Sequence, residues 1–255
     1  MQTDAPLESY TIICKNTSYG RVVRFSYETV HDAKKQENIL LTTVGTWGRM
    51  VPITKEKFYA KFFTKGAFTA GSTIPFNNTI TGVITDASGA KIYDSQPFFG
   101  THTSKAGTSY DNHGELYTLT HDNLQTVWKY YHNTMNRDER DEIVEIHADV
   151  LLIPTALEFT ARVILESTTL PGSQDNDTNV LSSIVSPMSW AYLTEAAAWF
   201  LGKKKQGLMA TDREDVGLDF WQDETSKDYF ASIFTRFGGA VTNWRFWYAN
   251  SCSTS

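Results

Sequence analysis

Apolar positions along the chain alternate between period two, period 3.6 and short unbroken runs, and each change of period marks an element. The clearest case is Glu145–Ser167. Val150, Leu151, Leu152 and Ile153 form an unbroken apolar run, the length of a strand covered on both faces. Pro154 ends it, having no N–H to give to a ladder. Thr155 and Glu158 then fit a capping box, the hydroxyl accepting from the N–H three residues on and the carboxylate reaching back. The helix that follows places Leu157, Ala161, Ile164 and Leu165 on one face. A strand, a proline and a capped amphipathic helix make an α/β core unit, with Leu151, Ile153, Leu157, Ile164 and Leu165 expected inside.

Upstream, Tyr10–Cys14 and Arg21–Tyr27 are rich in β-branched and aromatic residues, with turn chemistry in Lys15–Gly20. A hairpin or a long extended arm fits. A helical region follows over His31–Lys65, with Thr29 or Asp32 as its cap and Leu40, Val44, Trp47 and Val51 on one stripe. Gly45 and Gly48 weaken that helix by roughly 1 kcal/mol each, which predicts close packing against a neighbour. Pro52 predicts a break or kink, with a second helix from Thr54 carrying Phe58, Phe62 and Phe63 and stopping at Gly66. Residues 67–118 read as loops with short β-prone pieces, Gly82–Thr85 and Lys91–Tyr93, and a turn at Asp86–Gly89.

Thr120 caps an amphipathic helix bearing Leu124, Val127, Trp128, Tyr131 and Met135, and Asn136–Asp141 is a charged turn. Beyond the central unit, Thr168–Asn179 is a polar loop. Ser182–Val185 and Ala196–Leu201 read as strands, with Lys203–Lys205 a solvated turn. Tyr229–Phe237 and Ala240–Tyr248 flank Gly238-Gly239, a hairpin signal.

Composition narrows the function classes. Hydrophobic content of 41% and charged content of 20% lie in the globular range, away from disorder. A formal charge of -6 offers no basic surplus for a dedicated nucleic-acid binder. No apolar run approaches the roughly 18 residues of a membrane span and no signal-peptide pattern opens the chain, so a soluble, unexported protein is expected. Cys14 and Cys252 are predicted as reduced thiols, a single disulfide being the alternative.

Motifs for chemistry are missing. The chain contains no phosphate-binding glycine loop, no nucleophile elbow and no close histidine metal pattern. His121-Asp122 and His147 with Asp149 read as a helix start and a strand edge rather than acid–base pairs. His102, beside a Ser/Gly loop, is the best catalytic candidate, and a hydrogen-bonded loop histidine is the blander reading. No cofactor and no metal are expected.

The motifs, in order, resemble those of tailed-bacteriophage major capsid proteins with the Johnson fold, of the Mu type. The matching residues are Tyr19, Gly20, Arg21, Val23, Phe25 and Ser26, then Gly48 and Arg49 in the long helix, and Phe58 to Gly66. They continue with Phe98-Phe99 and His102 before an Asn112 loop, LLIPTALEFTARVILES over 151–167, the Trp199 strand, and Arg236 with Trp244-Arg245. The resemblance covers about residues 10–250 and implies an α+β fold. Its parts are an N-terminal arm or extension loop over 1–28, a peripheral domain with a spine helix over 29–118, an axial domain over 119–212, and return strands over 213–255. Fewer than thirty residues precede the helix, where the family has a longer segment. Either that part has been removed or the subunit is minimal.

By the same resemblance the chain is a non-enzymatic head subunit. Its partner is itself, as hexamers and pentamers of an icosahedral shell. Decoration, portal or scaffold proteins join it, packaged DNA is contacted only non-specifically, and there is no membrane. It belongs in the virion, assembled in the host cytoplasm. The alternatives are an encapsulin-like compartment shell and a hydrolase using His102. Expected contact residues are Lys15, Tyr19, Arg21, Arg24 and Arg49. The strands within Tyr10–Tyr27 are expected to lie largely on a neighbouring subunit, with Lys15, Arg21 and Arg24 meeting its acidic groups.

Overall fold

The unbroken apolar run at Val150–Ile153 forms strand β5, buried at all four positions. In the computed structural model, which describes residues 12, 14, 16–32, 37–63, 92, 94, 96–114, 118–169 and 177–250, β5 lies in a five-stranded mixed sheet. The other members are β4 (His113–Gly114), β6 (Ser186–Ser189), β7 (Trp199–Gly202) and β10 (Trp247–Asn250), in the order β4-β10-β7-β5-β6. Strand β5 is parallel to β6 and antiparallel to β7. Every residue of β5, β7 and β10 is buried, so these strands need no polar alternation. Gly202 sits opposite Trp247, and a Cβ there would lie 2.4 Å from the indole ring. Only glycine fits.

Pro154 ends β5 as expected, but the capping box does not form. Thr155–Leu157 is a 3-10 turn, helix α4 (Glu158–Glu166) starts without a side-chain cap, and Glu158 instead takes Arg162 at 2.9 Å. Ala161, Ile164 and Leu165 are buried, while Leu157 is only partly covered. The carboxamide of buried Asn179 closes the other end of α4, donating to the carbonyls of Ile164 (2.7 Å) and Ser167 (3.0 Å). The strand expected at Ser182–Val185 is a turn, with Ser183 at positive φ, and the strand begins one residue later at Ser186. Helix α3 (His121–Tyr130) is capped by Thr120, whose hydroxyl accepts from the N–H of Asn123 at 3.2 Å. One π turn, Tyr131–Met135, prolongs it and puts Tyr131 and Met135 into the same core as Leu124 and Val127.

The second sheet is antiparallel, in the order β1-β9-β8, built from β1 (Thr17–Phe25), β8 (Leu208–Gln222) and β9 (Tyr229–Val241). Two sequence expectations fail here, and one strand was unforeseen. Thr17–Gly20 belongs to β1 and is no turn. Gly238-Gly239 lies inside β9, and the hairpin turn is at residues 223–228 instead. Strand β8, 15 residues long and rich in charge, was not anticipated at all, and it crosses residue 212 without interruption.

Short helix α1 (Tyr27–Asp32) follows β1, with Ser26 rather than Thr29 accepting at its start. Helix α2 (Glu37–Ala60) then runs through Pro52 without ending, and a 3-10 turn, Lys61–Phe63, completes it. Val44, Trp47, Phe58 and Phe62 are buried along one stripe that keeps its phase across the proline. That continuous packing offsets the roughly 3 kcal/mol an interior proline costs. A Cβ at Gly45 or Gly48 would meet nothing within 4 Å, so neither glycine marks a close approach. Val44 and Trp47 pack on Ala231 and Ile233 of β9, and Phe58 and Phe62 join the main core.

A small hairpin, β2 (Thr101–Thr103) with β3 (Ser109–Asp111), packs beside β4 and β10. Of Tyr10–Cys14 only residues 12 and 14 are described, outside any strand, and of Lys91–Tyr93 only Ile92, which is buried. The Leu40 side chain, Gly66, Gly82–Thr85 and Asp86–Gly89 lie outside the described residues.

Candidate assembly surface

Alternation along β9 gives the three-stranded sheet two unlike faces. Ala231 and Ile233 face α2, and Phe237 stacks on Tyr19 at 4.4 Å and meets Phe58 edge-on. Phe230, Ser232, Phe234 and Arg236 point to the opposite side. There Trp221 stacks on Phe230 at 5.3 Å with the rings nearly parallel. No described element covers that side. Val22, opposite Ser232, is 59% exposed on that side, and Trp221, opposite Phe230, is 45% exposed. From Asp212 to Gln222 every residue of β8 is exposed. A long strand with exposed Val216, Leu218, Phe220 and Trp221 on an open edge is a surface shaped for another chain.

The two edges carry opposite charge. Strand β1 holds Arg21 and Arg24 and no acid. Strand β8 holds Asp212, Glu214, Asp215 and Asp219 against the single Arg213.

The contact residues expected from sequence fall in several environments. Arg24 has an acidic partner, but in its own chain: it meets buried Asp228 at 2.5 Å, through a side chain that stays 65% exposed. Asp228 also accepts from the N–H of Tyr27 at 3.0 Å, and that bond, with Arg24, holds its carboxyl below the usual carboxylate range. Strand β1, the described strand within Tyr10–Tyr27, pairs along one edge with the chain's own β9. Arg21 lies with its guanidinium 5.8 Å over Trp47, beside an open groove of about 270 Å³ lined also by Met50, Val51 and Ile233. Tyr19 is partly buried between Phe237 and Phe58. Arg49 is on the exposed side of α2, and Lys15 lies outside the described residues. Sequence reasoning missed Asp228 and β8, although the acid-rich alternation of 212–222 was available as a signal.

His102 is held as a structural residue. It is fully buried, with Nδ1 2.5 Å from Asp94 Oδ2, Nε2 3.2 Å from the Phe98 carbonyl, and its ring stacked 4.3 Å from Trp244. Both nitrogens face oxygens and one ring face is covered, so no nitrogen is directed at a nucleophile. Beside it, buried Asn112 accepts from the Gly100 N–H at 2.8 Å and donates to Phe98 O and Trp247 O. His121 lies against Asp122 at the start of α3, and His147 faces Glu145 rather than Asp149. His132 bridges two backbone groups, Trp128 O at Nδ1 and the Ala148 N–H at Nε2. Burial, and then His147, push its pKa down. Among the described residues, no group of three or more His, Cys, Asp or Glu side chains could hold a metal ion. Cys14 is a free thiol 3.2 Å from the Thr211 hydroxyl, and no described helix is long and apolar enough to cross a membrane.

A site made of open strand edges, with its histidines committed to structure, fits a protein whose work is contact. The family model for phage capsid proteins matches residues 10–250. The chain belongs to the phage capsid protein family. This capsid protein is similar in fold to the structure from Mycobacterium phage Patience, at 7% identity and TM-score 0.51, over 100% of this chain and 77% of that one. It also resembles the capsid of cyanophage P-SCSP1u, at 10% identity and TM-score 0.48, over 99% and 78% of the two chains. No curated protein sequence matches it. The α+β capsid fold and the role of major capsid shell protein expected from the motifs both hold. Neither the compartment-shell nor the His102 hydrolase alternative is favoured.

Proposed function

We propose that copies of the capsid protein tile an icosahedral shell around phage DNA as hexamers and pentamers, by geometry alone and without a catalytic step. The observation that carries this reading is the three-stranded sheet. Among the described residues it has two open edges, a bare face and exposed large apolar side chains on β1 and β8. In this reading residues 119–212, built around β5 and α4, surround each capsomer axis. Residues 29–118 and 213–255 form the peripheral part, and 1–28 the arm. Lys15, Tyr19, Arg21, Arg24 and Arg49 belong to contacts between subunits, each contact burying at least about 1,000 Å². Assembly takes place in the host cytoplasm, with portal, scaffold or decoration proteins joining the shell. Packaged DNA is touched without sequence preference, in keeping with a net charge of -6.

Negative-stain microscopy of the purified full-length chain tests this directly. Closed shells or separate capsomers are the expected result. A chain that stays monomeric at every concentration and salt condition would overturn it.

A further inference from the structure

Among the described residues the two outer edges of the β1-β9-β8 sheet are unpaired; they are complementary to each other, and neither is complementary to itself. Both β1 and β8 run antiparallel to β9, so they run parallel to one another. A second copy set beside the first in the sheet plane therefore brings its β1 alongside β8 with the strands in the same sense. The sheet can then continue from chain to chain as a parallel ladder. The register of β8 on β9 shifts between Asp212 and Glu214 and again between Glu214 and Gly217, then is regular over Gly217–Gln222. That regular stretch can serve as a template for a strand from outside.

Charge selects the partner. Asp212 is paired with Lys55 and Arg24 with Asp228, so the remaining charges are Glu214, Asp215 and Asp219 against Arg213 on β8, and Arg21 on β1; β8 beside β8, or β1 beside β1, would set like charges together. Like charges directly opposite are destabilising in a sheet. Pairing β8 with β1 brings the net-acidic edge beside the net-basic one, with Asp219 on the side of Arg24. It also aligns compatible faces. Asp219 and Trp221 lie on the same side as Val22 and Arg24, the bare side, while Leu218 and Phe220 share the helix side with Arg21 and Val23. Charges and bulges on edges discourage indiscriminate pairing. Here their distribution removes the two self-pairings and leaves the unlike one.

We propose that neighbouring copies join edge to edge, the acidic β8 of one chain adding to the Arg-bearing β1 of the next, a head-to-tail contact of the kind that closes into rings. The proposal rests on the shell reading above and names the contact within it.

Two full-length chains test it. One carries Asp215→Lys and Asp219→Lys, the other Arg21→Glu, with Arg24 left in place because it holds Asp228. Because Arg24 is already neutralised by its own Asp228, the first chain then presents two basic edges and the second two acidic ones, and the association of each alone should weaken by at least about tenfold at low salt, as read by sedimentation. Mixed in equal amounts, the two chains present opposite edges again, and capsomers should return. Circular dichroism checks that each chain folds. If either does not, oxidation of a Val22→Cys chain mixed with an Asp219→Cys chain replaces it, and disulfide-linked heterodimers are expected. Variants that assemble separately as well as the wild type, a mixture that fails to recover, or cross-linking confined to like chains would each overturn the edge pairing. Shells that form equally from every variant leave the shell reading standing. A wild-type chain that forms neither capsomers nor shells overturns both.

Discussion

Removing the side chain of Asn112 should destabilise the subunit by about 3–5 kcal/mol. This carboxamide is fully buried and joins three parts of the chain. Its oxygen accepts the Gly100 N–H at 2.8 Å, and its nitrogen donates to Phe98 O at 2.8 Å and to Trp247 O at 3.3 Å. In Asn112→Ala the Gly100 N–H loses its acceptor in a place without water, costing about 1–3 kcal/mol. The two lost donated bonds add about 1 kcal/mol each. Phe98 O is less exposed to the loss, because His102 Nε2 stays 3.2 Å away. Asn112→Asp should be at least as harmful at neutral pH, since it keeps the acceptor for Gly100 but turns an anion toward two carbonyl oxygens. Urea unfolding followed by tryptophan fluorescence reads the difference. A loss of 3 kcal/mol corresponds to a midpoint lower by about 1 M. An Asn112→Ala loss below about 1 kcal/mol, or an Asp variant more stable than the Ala variant, would refute the view that this residue is a hydrogen-bond hub.

Gly202→Ala should cost about 3 kcal/mol or more, because the new methyl would lie 2.4 Å from the Trp247 ring and 2.7 Å from the Phe246 carbonyl. Thermal melting checks it, and a neutral result would mean that β7 and β10 separate easily. Acid should loosen the attachment of β1 to the turn after β8. Asp228 has a depressed native pKa, so its contribution is complete above the ordinary carboxylate range, near pH 4, and is lost as pH falls through the lower native value. Asp228→Asn should therefore melt below the wild type at pH 7 and converge with it toward about pH 2, whereas a gap independent of pH would exclude this linkage.

Local chemistry was legible wherever one residue's neighbours in sequence decide its state. The run Val150–Ile153 can only be a strand buried on both faces, and Pro154 must end it. Thr120 caps α3 because the group it satisfies is three residues away. The buried stripe of α4 likewise follows from spacing alone. The order of motifs carried the capsid resemblance for the same reason, being a string of such local signals that the family model then matched over residues 10–250.

Elsewhere, distant contacts overruled local preference. Gly238-Gly239 could have made a turn, but β8 pairs with it there, Thr211 opposite Gly238 and Ala210 opposite Gly239, and holds it extended. Pro52 could have ended a helix, yet the stripe from Val44 to Phe62 stays in phase on one surface, and burying it outweighs the missing bond. Strand β8 was missed because exposed acids alternating with apolar residues also read as a solvated segment until β9 lies beside them. His102 offered chemistry in the sequence and lost it in the fold, where Asp94, Phe98 and Trp244 take up both nitrogens and a ring face. The sequence alone therefore determined which segments are apolar, where several elements stop and which family they compose. Which edges remain open among the described residues, and with what charge, depends on strand partners more than two hundred residues apart, and only the tertiary structure decided that.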